Sequence, residues 1–88
     1  HVFHPNELDL LSSLPSGDMQ NHEFLRLWTA KEAFLKAIGT GIDAKASSYD
    51  FSKSNTISLD DGSFWKLEHH TVYDFPDYLS CVCYKCLQ

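Results

Sequence analysis

Basic residues are scarce in these 88: seven Lys and Arg stand against twelve Asp and Glu, a net charge of −5. No overall positive field exists to hold a nucleic-acid backbone or an anionic membrane, so neither is expected as a partner. Long apolar runs are also missing. None approaches the roughly 18 residues of a membrane span, and the opening HVFHPNEL has neither the basic region nor the apolar stretch of a signal peptide. A soluble, cytoplasmic protein is the expectation. With three prolines and four glycines the chain has no linker, internal repeat or low-complexity stretch. The three cysteines are an odd number crowded near the C-terminus as Cys81, Cys83 and Cys86, which is no disulfide framework for a small secreted domain. Reduced thiols are expected. The first residue is His1 rather than Met, so the chain is expected to be a processed product or a piece of a longer one.

What is present suits one small globular domain over residues 1–88, whose length leaves about a third of its unfolded surface exposed after folding. The apolar fraction is 43%, and exchanging Tyr for Gly in that count leaves it unchanged. That is just under the roughly 45–50% of an average chain, so the core is thin. Aromatics are plentiful at 14%, so a few large side chains carry the core or also face a partner.

Pro5 and Glu7 mark a helix start, because the first helical position does not miss the N–H that proline lacks and an acid is favoured in the first turn. That helix runs through Leu8, Leu10, Leu11 and Leu14 to a break at Pro15-Ser16-Gly17-Asp18. A second helix spans roughly Met19 to Ile38 and stops at Gly39-Thr40-Gly41, where glycine can turn left-handed. Thr56–Leu59 and Phe64–Leu67 flank Asp60-Asp61-Gly62-Ser63 as a hairpin, and Tyr78–Tyr84 forms a third strand after a turn at Phe75-Pro76-Asp77. The expected fold class is α+β: two helices, one long and buried, packed on an antiparallel sheet of about three strands.

On a helical wheel Phe24, Leu27, Trp28, Phe34, Leu35 and Ile38 make one broad apolar face with Lys31 in its middle. The opposite side carries Ala30, Ala33 and Ala37, with Arg26 as its one charge. Between them runs a narrow polar seam of Thr29, Glu32 and Lys36. Two readings of the charges are open. Glu32 and Lys36, four apart, could form an intrahelical ion pair worth about 0.2–0.5 kcal/mol while Lys31 runs its methylenes out to water. Alternatively, three charges on the most buried helix persist because they are paired with a ligand: a magnesium ion held by Glu32, with Lys31 and Lys36 on the oxygens of a phosphate-bearing anion.

The stretch FLRLWTAKEAFLKAIGTGI, beginning at Phe24, resembles the W-x-x-K-E-A-x-x-K-A-x-G-x-G signature of 4′-phosphopantetheinyl transferases. Trp28 makes it more similar to the larger pseudo-dimeric class than to the small trimeric one, and Val2-Phe3-His4-Pro5-Asn6-Glu7 is similar to the entry of that class's second half. The resemblance implies transfer of the phosphopantetheine arm of coenzyme A to a serine of an acyl or peptidyl carrier protein. It implies that Glu32 is a magnesium ligand and catalytic residue, that Lys36 is catalytic and binds coenzyme A, and that Lys31 also contacts its phosphates. Trp28 is given no role beyond packing.

The family's other metal carboxylates, a D-x-E motif, lie in the preceding half, and these 88 residues do not contain them. The chain thus resembles a C-terminal half that supplies part of a composite site, and alone it is expected to be inactive. The segment from Arg26 to Lys45 nonetheless carries four basic against two acidic residues, a locally positive field. Two rival readings remain. One is a non-catalytic interaction module that retains the fold and docks against another half or chain. The other is zinc on Cys81, Cys83 and Cys86 with His69 and His70, against which stands the sharing of one strand face by Cys81 and Cys83, where small apolar thiols commonly pack. His22, His69 and His70 are expected at the surface.

Overall fold

Helix α1 (Pro5–Ser13) starts where proline and the first-turn acid place it. The His4 ring nitrogen Nδ1 accepts from the Asn6 N–H at 3.0 Å, and the Glu7 carboxylate reaches back to the His4 N–H at 2.8 Å, so two donors without helical partners are satisfied. The structure, a computed structural model, describes residues 2–39, 45–72 and 75–86. Helix α2 (Asp18–Ile38) begins after Gly17 and ends at Gly39, whose left-handed backbone (φ 80°) lets its N–H close on the carbonyls of Leu35 and Lys36. The expected stop is met there; Thr40 and Gly41 lie outside the described residues. A single 3₁₀ turn (Ala46–Ser48) precedes the sheet.

Three antiparallel strands follow in spatial order β1 (Thr56–Ser58), β2 (Phe64–Val72) and β3 (Phe75–Cys86). In the β1–β2 turn Gly62 takes a positive φ of 87°, and Asp61 accepts from the backbone and hydroxyl of Ser63 at 2.9 and 2.6 Å. The expected two helices on a three-stranded antiparallel sheet are thus what the described residues form. Two strand boundaries differ. β2 continues to Val72 rather than stopping near Leu67, because Glu68, His69 and His70 stay paired with Val82, Cys81 and Ser80 of β3. β3 begins at Phe75, which is in register with Val72, so Phe75-Pro76-Asp77 belongs to the strand.

The register puts Trp65, Leu67 and His69 of β2 on one face with Cys81 and Cys83 of β3, and α2 packs against that face. On the other face Val82 and Tyr84 are exposed, and the Tyr84 hydroxyl donates to Glu68 at 2.8 Å. The core is Leu27, Ala30, Phe34, Leu35, Ala46, Phe51 and Leu67. Phe34 is its centre, meeting Tyr49, Phe51 and Trp65 edge-on at centroid distances of 4.9, 5.7 and 6.1 Å.

The buried arc of α2 is rotated from the face the wheel favoured. Ala30 is completely enclosed, whereas Phe24 is 45% exposed, stacked on the half-buried Trp28 and met edge-on by Phe3. Small residues on the Ala30 side let the sheet approach closely, and close approach decides which side is buried more than side-chain hydropathy does.

Candidate functional site

Helix α2 carries all three residues singled out in the sequence, and the structure divides them. Lys31 and Glu32 are neighbours in sequence, about 100° apart around the helix axis. Lys31 points into the interior and is fully buried. Its ammonium pairs with Glu7 Oε1 at 2.8 Å and donates to the carbonyls of Ala46, at 3.0 Å, and Tyr49. All three of its N–H bonds therefore have an acceptor. Glu7 is equally enclosed: Oε1 also accepts from the His4 N–H, and Oε2 accepts from the Phe51 N–H at 2.8 Å. A buried pair this fully hydrogen-bonded persists where an unpaired charge would not.

Glu32 and Lys36 stand on the other side, one turn apart, the carboxylate half-buried and the ammonium exposed. Among the described residues no salt bridge joins them, and neither side chain hydrogen-bonds to a described group. The intrahelical ion pair allowed by their spacing is thus not formed, and a carboxylate and an ammonium stand uncommitted to any described group. One free carboxylate suits magnesium, which keeps several waters and takes one or two carboxylates together with substrate phosphates. Among the described residues no group of three or more His, Cys, Asp or Glu could hold a metal by itself.

Thr29, the third member of the seam, turns its hydroxyl back to the Leu25 carbonyl at 2.7 Å. It also meets His69, whose Nε2 lies 3.1 Å from that oxygen and 3.0 Å from the Arg26 carbonyl. His69 is therefore not a surface residue, as the sequence suggested. The extended β2 carries it onto the sheet face that packs on α2. A carbonyl can only accept, so Nε2 carries the proton, while Nδ1 is buried without a partner among the described residues. Burial pushes the pKa of this imidazole below its ordinary value, and the neighbouring Arg26 charge adds to that, which keeps it neutral near pH 7.

Cys81 and Cys83 lie half-buried on the inner face while Val82 between them is exposed, as the strand alternation predicted. Burial pushes the Cys81 thiol up to about 11 and raises Cys83 as well, so both stay protonated near pH 7. An open cleft of about 840 Å³, lined by residues that include Tyr49, Asp50, Leu59 and Asp60, contains none of Lys31, Glu32 and Lys36. Among the described residues no helix is long and apolar enough to cross a membrane.

Two residues that matter here were not singled out from sequence. Glu7 read as an ordinary first-turn acid, yet a lysine in the middle of an apolar face demands a buried acceptor, and Glu7 is the acid that meets it. Arg26 read as a lone charge. It pairs with Glu23 and donates to Asn55 Oδ1 at 2.6 Å and the Phe51 carbonyl at 3.0 Å.

The family model for the 4′-phosphopantetheinyl transferase superfamily matches residues 1–83. Over 40 residues the chain is 55% identical to the 4′-phosphopantetheinyl transferase HetI of Nostoc sp.. It is equally similar, over the same length, to a Synechocystis sp. protein bearing the name "Putative 4'-phosphopantetheinyl transferase slr0495". Each match covers 46% of this chain and 16% of the relative, so the chain aligns with only a small part of either. No solved structure matches it.

Proposed function

Since the chain belongs to the 4′-phosphopantetheinyl transferase superfamily, we propose that it forms the C-terminal half of a pseudo-dimeric, cytoplasmic member of that family. In this reading the complete protein moves the phosphopantetheine arm of coenzyme A onto a serine of an acyl or peptidyl carrier protein. The serine oxygen bonds to the pyrophosphate phosphorus on the pantetheine side. The bond from that phosphorus to the bridging oxygen breaks, and adenosine 3′,5′-bisphosphate leaves. The serine proton passes to Glu32 or to a water beside it. Bound magnesium would neutralise charge on the pyrophosphate, and Glu32 is the residue of this chain that would hold it. Lys36 places its ammonium on the phosphate oxygens, where it steadies the charge that develops as the bond breaks. The remaining metal carboxylates come from the preceding half, so these 88 residues alone are inactive.

One observation carries the reading: Glu32 and Lys36 sit one turn apart on the outer side of α2, uncommitted to each other or to any described group. The test is transfer to a carrier protein by the complete protein carrying Glu32→Gln. Turnover should fall by about 10²–10³-fold. The melting temperature should not move, because Glu32 makes no internal hydrogen bond among the described residues. Wild-type turnover in the variant would refute the assignment.

A further inference from the structure

Hydrogen bonds from Arg26 to Asn55 and Phe51, and from His69 to the Arg26 carbonyl, hold the Arg26 side of α2, while the arc that faces the core is mostly apolar. Leu27, Ala30, Phe34 and Leu35 are fully buried, Trp28 and Ala33 are half-buried, and so the apolar or small surface spans a wide arc. Apolar contacts of this kind carry no directional requirement of their own. A charge pair at fixed hydrogen-bond distances has one. The pair between Lys31 and Glu7 joins four pieces of chain: α2, the capped start of α1 through the His4 N–H, the 3₁₀ turn through the Ala46 carbonyl, and the following segment through Tyr49 and Phe51. Phe51 is held at both of its polar backbone atoms, its N–H by Glu7 and its carbonyl by Arg26 of α2. The ring of Phe51 in turn lies under the ammonium, 5.6 Å from centroid to Nζ.

We propose that Lys31 and Glu7 are positioning residues, and that Lys31 does not touch coenzyme A. Locked to Glu7, Lys31 sets the rotation and height of α2 and so fixes the direction in which Glu32, the next residue, and Lys36, just over one turn further on, leave the helix. Contact with a phosphate would require Lys31 to leave three acceptors and strand the Glu7 carboxylate in the interior, a cost that a phosphate at the surface does not offset.

The inference rests on the proposed transfer reaction, and its test keeps the two apart. Three forms of the complete protein are compared with wild type: Lys31→Met, Glu7→Gln, and the double variant Glu7→Leu with Lys31→Met. Removing both charges leaves neither stranded, so the double variant should melt nearer to wild type than Lys31→Met does, short of it only by the loss of the Glu7 acceptor for the Phe51 N–H. Its KM for coenzyme A should stay within about twofold, while kcat falls by about 10–100-fold, the loss expected when catalytic groups are displaced by around an ångström. Glu7→Gln, which leaves Lys31 in place, should lower kcat in the same direction with KM unchanged, and it serves as the test should the double variant fail to fold. A rise in KM of tenfold or more in both proteins that lack Lys31 would make it a phosphate ligand and overturn the inference. Wild-type kcat in a folded double variant, or in Glu7→Gln, would reduce the pair to a purely structural one and also overturn it. A wild-type protein without transferase activity would remove the proposed function and this inference with it, whereas an active wild type with unaffected variants removes the inference alone.

Discussion

Glu7 and Lys31 form one pair, yet losing one is not equivalent to losing the other. Glu7→Leu strands a buried ammonium, for which the usual cost is roughly 3–5 kcal/mol. It also strips the Phe51 N–H, which is buried, of its acceptor, adding about 1–3 kcal/mol. Lys31→Met leaves a carboxylate that still accepts from the His4 and Phe51 N–H groups, and the carbonyls of Ala46 and Tyr49, each losing one donor, tolerate the loss better than an N–H would. Its cost should lie near the lower limit, about 3 kcal/mol. The double variant strands no charge and should cost far less than the sum of the singles, about 1–3 kcal/mol for the Phe51 N–H left without its acceptor. Urea unfolding of the complete protein, followed by circular dichroism, yields all three values from midpoints at constant slope. Equal single losses below about 1 kcal/mol, with an additive double, would show that the pair is solvated and refute the reasoning.

Further outcomes follow from the core and from His69. Phe34→Ala, which empties the centre of the edge-on cluster of Tyr49, Phe51 and Trp65, should cost about 3–5 kcal/mol, measurable by the same unfolding experiment. Burial depresses the folded-state pKa of His69. Its contribution to stability is therefore complete above the unfolded value of about 6.5 and is lost as the pH falls through the depressed folded value, since the unfolded state binds more protons there. The melting temperature should decline below about pH 6.5, and His69→Gln should remove that part of the decline; an unchanged pH profile in the variant would show that His69 is not the group responsible.

The parts of the fold readable in the sequence were those set by local chemistry. Pro5, Gly17 and Gly39 bound the helices because each does something backbone-specific at its own position, and Asp61-Gly62-Ser63 closes the hairpin for the same reason. The length of β2 was not readable, since Glu68-His69-His70 shows no apolar alternation and is held as a strand by its pairing with β3. His69 was misplaced for that reason alone. Once the strand is extended, the two-residue period from Trp65 through Leu67 carries it inward. At the site, the spacing of Glu32 and Lys36 puts them on one side of α2, whereas the partner of Lys31 lies 24 residues earlier and is identified only when α1 docks. The lysine in the middle of an apolar face signalled that a partner was needed, but not which acid would supply it.

The outer side of α2 as a seat for magnesium and coenzyme A is tested most directly by calorimetry of the complete protein with coenzyme A, with and without magnesium, in wild type and Glu32→Gln side by side. The account predicts that magnesium strengthens binding to the wild type and does nothing for the variant. An equal gain from magnesium in both proteins would contradict it.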